Sequence, residues 1–318
     1  MAHNVESMFS AGRVVPWHYE LTKDVTKLIQ EAPTSADAIK YAGLDWIVEK
    51  KPIYDAAGKE ISGFYANTRN SDKSVLGIVT DRYQIVQNHE AFNFTDNLIS
   101  DGIMKYETAG SLRNGKQVWL LGKLDSVKIL DDVVEPYICF SNTFDGSGAI
   151  RVCATPIRVV CNNTLNLALS TAKRSWSTKH VGDMNAKIRE ARETLGFTTK
   201  YMSELDIFAD KLANVNITDT EIEHVLDELF PVDVENDTQR KINNVQTMKD
   251  NFMVCYMMPD IAKFKGTAWG AIQAMSDMTT HMRPTRATET YKENNWGRII
   301  GGHPVFDAFV AKMMNKVA

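Results

Sequence analysis

Along the first 170 or so positions, apolar residues alternate with polar ones in short runs separated by turn-forming clusters, a pattern of strands and tight turns. Ile53-Tyr54 and Ile61 to Tyr65, joined by Asp55-Ala56-Ala57-Gly58-Lys59, predict a β-hairpin. Val75 to Val79 and Tyr83 to Val86 read as short strands on either side of Thr80-Asp81-Arg82. Asn88 is placed to cap a helix whose apolar stripe is Phe92, Phe94, Leu98 and Ile99. Ile103 to Leu112 and Gln117 to Leu124 predict a second hairpin around Arg113-Asn114-Gly115-Lys116, where Asn-Gly tolerates the positive φ of a tight turn. A third hairpin joins Tyr137–Asn142 to Ala149–Cys153 through Asp145-Gly146-Ser147-Gly148. Ile157 to Val160 is a further β run, broken at Asn162-Asn163-Thr164, and Leu165 to Ala172 reads as a short helix.

The period then changes. Ile188, Ala191, Leu195, Met202, Leu205 and Leu212 keep helical spacing. Thr218 and Glu221 form a capping-box pattern ahead of Ile222, Val225, Leu226 and Leu229, and Pro231 stops that helix. Ile242, Val245, Met248 and Phe252 mark another helix, and two more are predicted over 267–282 and 305–317. The expected class is α+β: N-terminal antiparallel hairpins with short helices, then a mainly helical part. The expected division is a β-rich core over 1–180 and a helical region over 181–318, packed on it or abutting it.

With 318 residues, 44% hydrophobic and 24% charged, the chain can bury a sizeable core. No apolar run approaches the roughly 18 residues of a spanning helix, and Met1 to Glu6 lacks the basic and apolar regions of a secretory leader. Cys139, Cys153, Cys161 and Cys255 make no CxxC pair and are expected to be buried thiols in a reducing compartment. The net charge of −4 excludes a uniformly basic binder, but its distribution is uneven. Residues 149–192 hold eight Lys/Arg against two acids, and 204–238 hold eleven acids against Lys211 alone. Such a pair of segments suits a polyanion site beside a repelling surface, or two ordinary solvated faces.

Recognisable catalytic patterns are missing. There is no GxxxxGK[ST] phosphate loop and no GxSxG elbow, and His3, His18, His89, His180, His224, His281 and His303 form no HxH or HxxxH pair. No catalytic residue, metal ligand or cofactor is therefore expected. Asp145 to Gly148 could cradle an anion with backbone N–H groups, or could simply turn a hairpin. The segment from Arg151 to His180 is the more informative candidate. Arg151 and Arg158 lie on or near strands, and Lys173, Arg174, Trp176, Lys179 and His180 follow among hydroxyl residues. Cations that neutralise phosphates beside a ring on which bases stack suit single-stranded nucleic acid. Arg283, Arg286, Tyr291, Lys292, Trp296 and Arg298 repeat that interleaving near the C-terminus, in a stretch that reads as loop. Trp176 and Trp296 can equally be packing anchors.

Leu76-Gly77-Ile78-Val79-Thr80-Asp81-Arg82-Tyr83-Gln84-Ile85-Val86-Gln87-Asn88 is similar to the hallmark of a phage/plasmid-like family catalogued as domain of unknown function 932. Gly110 to Lys116, Asp145 to Gly148, Ile157 to Leu165 and Gly266-Thr267-Ala268-Trp269 resemble further elements of that family, in the expected order. The Arg174 to His180 stretch departs from the family's usual Arg and His-Thr spacing. The resemblance implies mobile-element origin and a host-cytoplasm location, not a mechanism. By analogy of fold, hairpin, strand and helix with cations along them are similar to phage single-strand annealing proteins, which carry no catalytic residues and work as rings or filaments. The leading expectation is thus a non-enzymatic homo-oligomer that binds single-stranded DNA and does not engage a membrane. The alternatives are a module that binds a host or phage protein through its acidic segment, and an unrecognised nuclease or nucleotide-modifying enzyme.

Overall fold

The computed structural model describes residues 5–12, 26–93, 95–96, 102, 104–158, 175–184, 186–187, 190, 197–282 and 303–315. The described residues divide into two compact units. The first draws on Met1–Asp125, Pro136–Ala154 and Lys173–Thr198, and the second on Ser126–Glu135, Thr155–Ala172 and Thr199–Ala318. Antiparallel sheets lie mainly in the N-terminal part and helices in the C-terminal part, so the class is α+β.

In the first unit, β1 (Val5–Ala11) pairs in parallel with β2 (Thr26–Ile29). It pairs antiparallel with β6 (Met104–Leu112) on its other side. From there the sheet continues through β7 (Gln117–Leu124), β9 (Asp132–Thr143), β10 (Ile150–Arg158) and β11 (Ser175–Thr178). The β6–β7 turn places Arg113, Asn114 and Gly115 at φ of 55°, 56° and 82°. The Asn-Gly signal therefore marks the turn, and the left-handed stretch begins one residue earlier. A separate three-stranded meander is formed by β3 (Val48–Tyr54), β4 (Glu60–Arg69) and β5 (Val75–Thr80). Pro52, which has no N–H to donate, sits on its edge strand β3.

Alternation along the large sheet fills one core with Phe9, Val118, Leu120, Ile138, Phe140, Ile150 and Val152. Helix α1 (Ser35–Ala42) buries Ala38, Ile39 and Ala42 in the same cluster. Thr34 caps α1 at Asp37 N–H, and Gly43 closes it at φ 66°. Met8, Trp119, Leu121, Tyr137 and Cys139, on the opposite face, are buried too. The central strands are thus withdrawn from solvent on both sides, which explains why β6, β7 and β9 carry little polar alternation.

Two expectations are corrected here. Tyr83 to Val86 is not a strand, because its groups bond to scattered partners rather than to a neighbouring ladder. Asn88 starts helix α2 (Asn88–Asn93) but does not cap it. Its amide donates to the Leu44 carbonyl at 2.8 Å, and Glu90 accepts the Gln87 N–H instead. The predicted helix over Leu165 to Ala172 lies outside the described residues.

The second unit holds β8 (Val127–Ile129), which pairs with the start of β9, and helices α3 (Phe197–Ala213), α4 (Asp219–Leu229), α5 (Gln239–Tyr256), α6 (Ala268–His281) and α7 (Pro304–Asn315). The capping box at Thr218 and Glu221 is formed in full. Helix α6 is buried from Ala268 through Ser276, with α5 and α7 packed on it. Thr267 caps α6 at the Gly270 N–H, and Gly270 lies so close to the Phe264 carbonyl that a Cβ would sit 2.2 Å from its oxygen. Cys139, Cys153 and Cys255 are buried and form no disulfide among the described residues. Burial, with help from Asp277, pushes the Cys255 thiol well above its ordinary pKa.

At Gly77 in β5 a Cβ would lie 2.4 Å from the Asp145 Cα, a backbone conflict no rotamer can relieve. Gly77→Ala is expected to destabilise the protein by about 1–3 kcal/mol, and Thr218→Ala by about 1 kcal/mol through loss of the cap. Thermal unfolding monitored by circular dichroism reads both, and an unchanged midpoint in Gly77→Ala would show that the backbone there yields.

A candidate nucleic-acid interface on the β10–β11 edge

The antiparallel pairing of β10 and β11 sets Ile150 opposite Thr178, Arg151 opposite Ser177, Val152 opposite Trp176, and Cys153 opposite Ser175. The two-residue period of a strand then sorts these side chains. Trp176 shares the face of Val152 and packs, half-buried, against the apolar core. Arg151, Ser175 and Ser177 share the other face, and Ser175 and Ser177 are exposed. Lys179 follows, also exposed. Neither Arg151 nor Lys179 makes an ion pair among the described residues. The edge therefore offers two cations and two hydroxyls, the cations with no carboxylate bound to them among the described residues.

His180 turns inward. Its ring is 3% exposed and stacks on Tyr83 with centroids 4.5 Å apart and planes 14° apart. Its Nδ1 lies 2.9 Å from the Gln84 carbonyl oxygen, and the Gln84 N–H donates to the His180 carbonyl at 2.7 Å. Because a carbonyl only accepts, Nδ1 carries the proton in the neutral ring and Nε2 is left as an acceptor. Burial lowers the imidazole pKa from its ordinary value, opposed by the Gln84 bond and assisted by Lys187.

Tyr83 and Gln84 belong to the segment 81–88, which runs beside β9 and β3. The Tyr83 hydroxyl donates to the Thr143 carbonyl at 2.5 Å, and burial with the nearby Asp145 raises its pKa far above the ordinary phenol value. Asn142 donates to the Val86 carbonyl at 3.0 Å. Gln87 binds both backbone groups of Val48, accepting at 3.0 Å and donating at 2.8 Å. The Asp145 turn joins the same frame, with its carboxylate 3.7 Å from Arg113 and both Ser147 N–H and Oγ–H donating to it. The Asp145 side chain thus takes up the Ser147 donors, which gives the turn a structural role.

The structure gathers Arg151, Trp176, Lys179 and His180 on one strand pair, with Trp176 and His180 turned inward as packing groups. Arg158 ends β10, but its side chain lies outside the described residues, as do Lys173 and Arg174. Arg283, Arg286, Tyr291, Lys292, Trp296 and Arg298 also lie outside them. Ser175 and Ser177 were not singled out from the sequence, although Ser-Trp-Ser-Thr is a four-residue alternation that could have marked the strand. Among the described residues no three His, Cys, Asp or Glu side chains gather as a metal site.

Much of the acidic segment is committed inside the second unit. Asp206 accepts the Leu130 N–H at 3.0 Å, Glu221 completes the cap of α4, Asp227 pairs with Lys249, and Glu228 pairs with Lys312. Asp233 and Asp237 close the α4–α5 loop on its own N–H groups, and Lys241 pairs with Asp237.

These features define an α+β protein whose motif residues build a structural clasp beside a cationic sheet edge. The chain belongs to the family described as Domain of unknown function (DUF932), whose profile matches residues 75–298. Neither the curated proteins nor the solved structures contain a match.

Tyr83→Phe removes the bond to Thr143 while keeping the stack on His180. It is expected to cost about 1 kcal/mol. The denaturation midpoint should fall with its slope unchanged, and a wild-type midpoint would mean the hydroxyl contributes nothing net.

Proposed function

We propose that this protein binds single-stranded DNA, without chemistry of its own, and that the β10–β11 edge holds the strand. One observation supports the reading above the others: pairing places Arg151 of β10 beside Ser177 of the edge strand β11, whose Ser175 and Ser177 are exposed, with the exposed Lys179 just past its end. Cations at such spacing neutralise successive phosphates, and the hydroxyls can donate to phosphate oxygens. Trp176 contributes less stacking than an exposed ring would, because one side of it is spent on the core. Affinity in this reading is chiefly electrostatic and steeply salt-dependent. The resemblance of the motifs favours a phage or plasmid context in the host cytoplasm, and annealing of complementary strands would be its natural extension. The alternative of a protein partner for the acidic segment gains little, since so many of those carboxylates serve caps and ion pairs within the second unit.

Fluorescence anisotropy with a labelled oligonucleotide, over a range of salt, tests this directly. Wild-type protein should prefer the single strand over duplex. Arg151→Ala/Lys179→Ala should bind several-fold more weakly, with a salt slope shallower by about 0.7 for each phosphate that is no longer neutralised. Wild-type affinity and slope in the double variant would remove the site, and absence of binding by wild-type protein would remove the function.

A further inference from the structure

We propose that His180 is a proton-operated latch: neutral, it fastens the end of β11 to the 81–88 segment, and on protonation it lets that edge strand go. The latch has three parts. The ring stacks on Tyr83, the His180 and Gln84 backbones are joined by one bond, and the imidazole Nδ1 adds a second bond to the same residue. Beyond Thr178 the ladder to β10 does not continue among the described residues, and these interactions carry on the attachment as far as Met184, which packs against the core. Lys187 adds a brace, its ammonium donating to the carbonyls of Lys179 and Val181 on either side of His180.

The surroundings suit the neutral ring and oppose the charged one. Nε2 is buried with no hydrogen-bond partner among the described residues, so a proton there would point at nothing that accepts it. Among the described residues the charge that acts on the ring is Lys187, which repels an imidazolium, while Asp145 acts on the stacked Tyr83. Stacking over Tyr83 would return part of the cost as a cation–π contact. Burial of the ring is the leading cause that lowers its pKa, ahead of the opposing Gln84 bond. A histidine whose pKa is lower in the closed state than in the open one takes up a proton on opening. Closure is therefore complete above the ordinary histidine pKa of about 6.5 and weakens as pH falls from there through the closed-state pKa. Within that window the opening equilibrium shifts up to about tenfold per pH unit.

The test is amide hydrogen exchange of the full chain between pH 7.5 and 5, corrected for intrinsic rates, alongside NMR titration of the His180 imidazole. The amides of Gln84 and of the β10–β11 pair should lose protection up to tenfold per pH unit in wild-type protein. In His180→Gln, whose amide can still donate to Gln84 but does not titrate, protection should be flat. Equal pH responses in the two proteins would overturn the latch. So would an imidazole that titrates at or above the ordinary value in the wild type, a result that stands even where the variant folds poorly. If the edge binds DNA, a consequence that rests on the proposed function, wild-type affinity for an oligonucleotide should fall in the same window and that of His180→Gln should not. Exchange that depends on pH, without DNA binding at any pH, would keep the latch and discard the nucleic-acid reading.

Discussion

A backbone that leaves regular structure inside a packed body must still satisfy its N–H and C=O groups, and the first unit meets this demand with side-chain amides and one phenol. Asn67 donates to the Phe144 carbonyl, Asn142 to Val86, Asn88 to Leu44 and Tyr83 to Thr143, while Gln87 serves both groups of Val48. Each bond is modest in net worth, about 1 kcal/mol, but each removes a buried orphan that would cost more. The meander, the 81–88 segment, α2 and the β9 end of the large sheet are held in register by this set. Packing alone would not fix the register, because apolar contact is not directional.

That constraint also gives the described motif stretches a structural role. Gly77 is small because the Asp145 backbone lies against it, and the Asp145 turn is folded on its own carboxylate. Thr267 and Gly270 in the Gly-Thr-Ala-Trp element serve the cap of α6 and its close approach to Phe264. These described motif residues are joints of the fold. The candidate interface lies next to them, on a strand pair whose outer face carries cations that pair with no carboxylate among the described residues.

Charge segregation along the chain takes different meanings in the two units. In the second unit the acids cluster at helix starts and across from lysines, where the helix dipole and local N–H groups favour them. In the first unit Arg151 lies on β10 beside the edge strand and Lys179 just past the end of β11, and neither makes an ion pair among the described residues. The same formal imbalance in sequence is absorbed in one place and presented in the other.

Local signals determined a good part of this protein. The hairpin turn at Asn114-Gly115, the capping box at Thr218 and the helical spacing of α3 to α7 depend on neighbours a few residues apart, so the sequence carries them. The pair of Arg151 with the Arg174–His180 stretch was legible as composition. What it could not carry was orientation. Which side of β11 faces the core depends on its register with β10, and a shift of one residue would have exposed Trp176 and buried Ser175 and Ser177. Whether Tyr83 to Val86 joins a ladder, or His180 meets solvent, depends on partners nearly a hundred residues away, as in the His180–Gln84 pair. Pairings of that span are set by the closing of the whole sheet, and only the tertiary structure decides them.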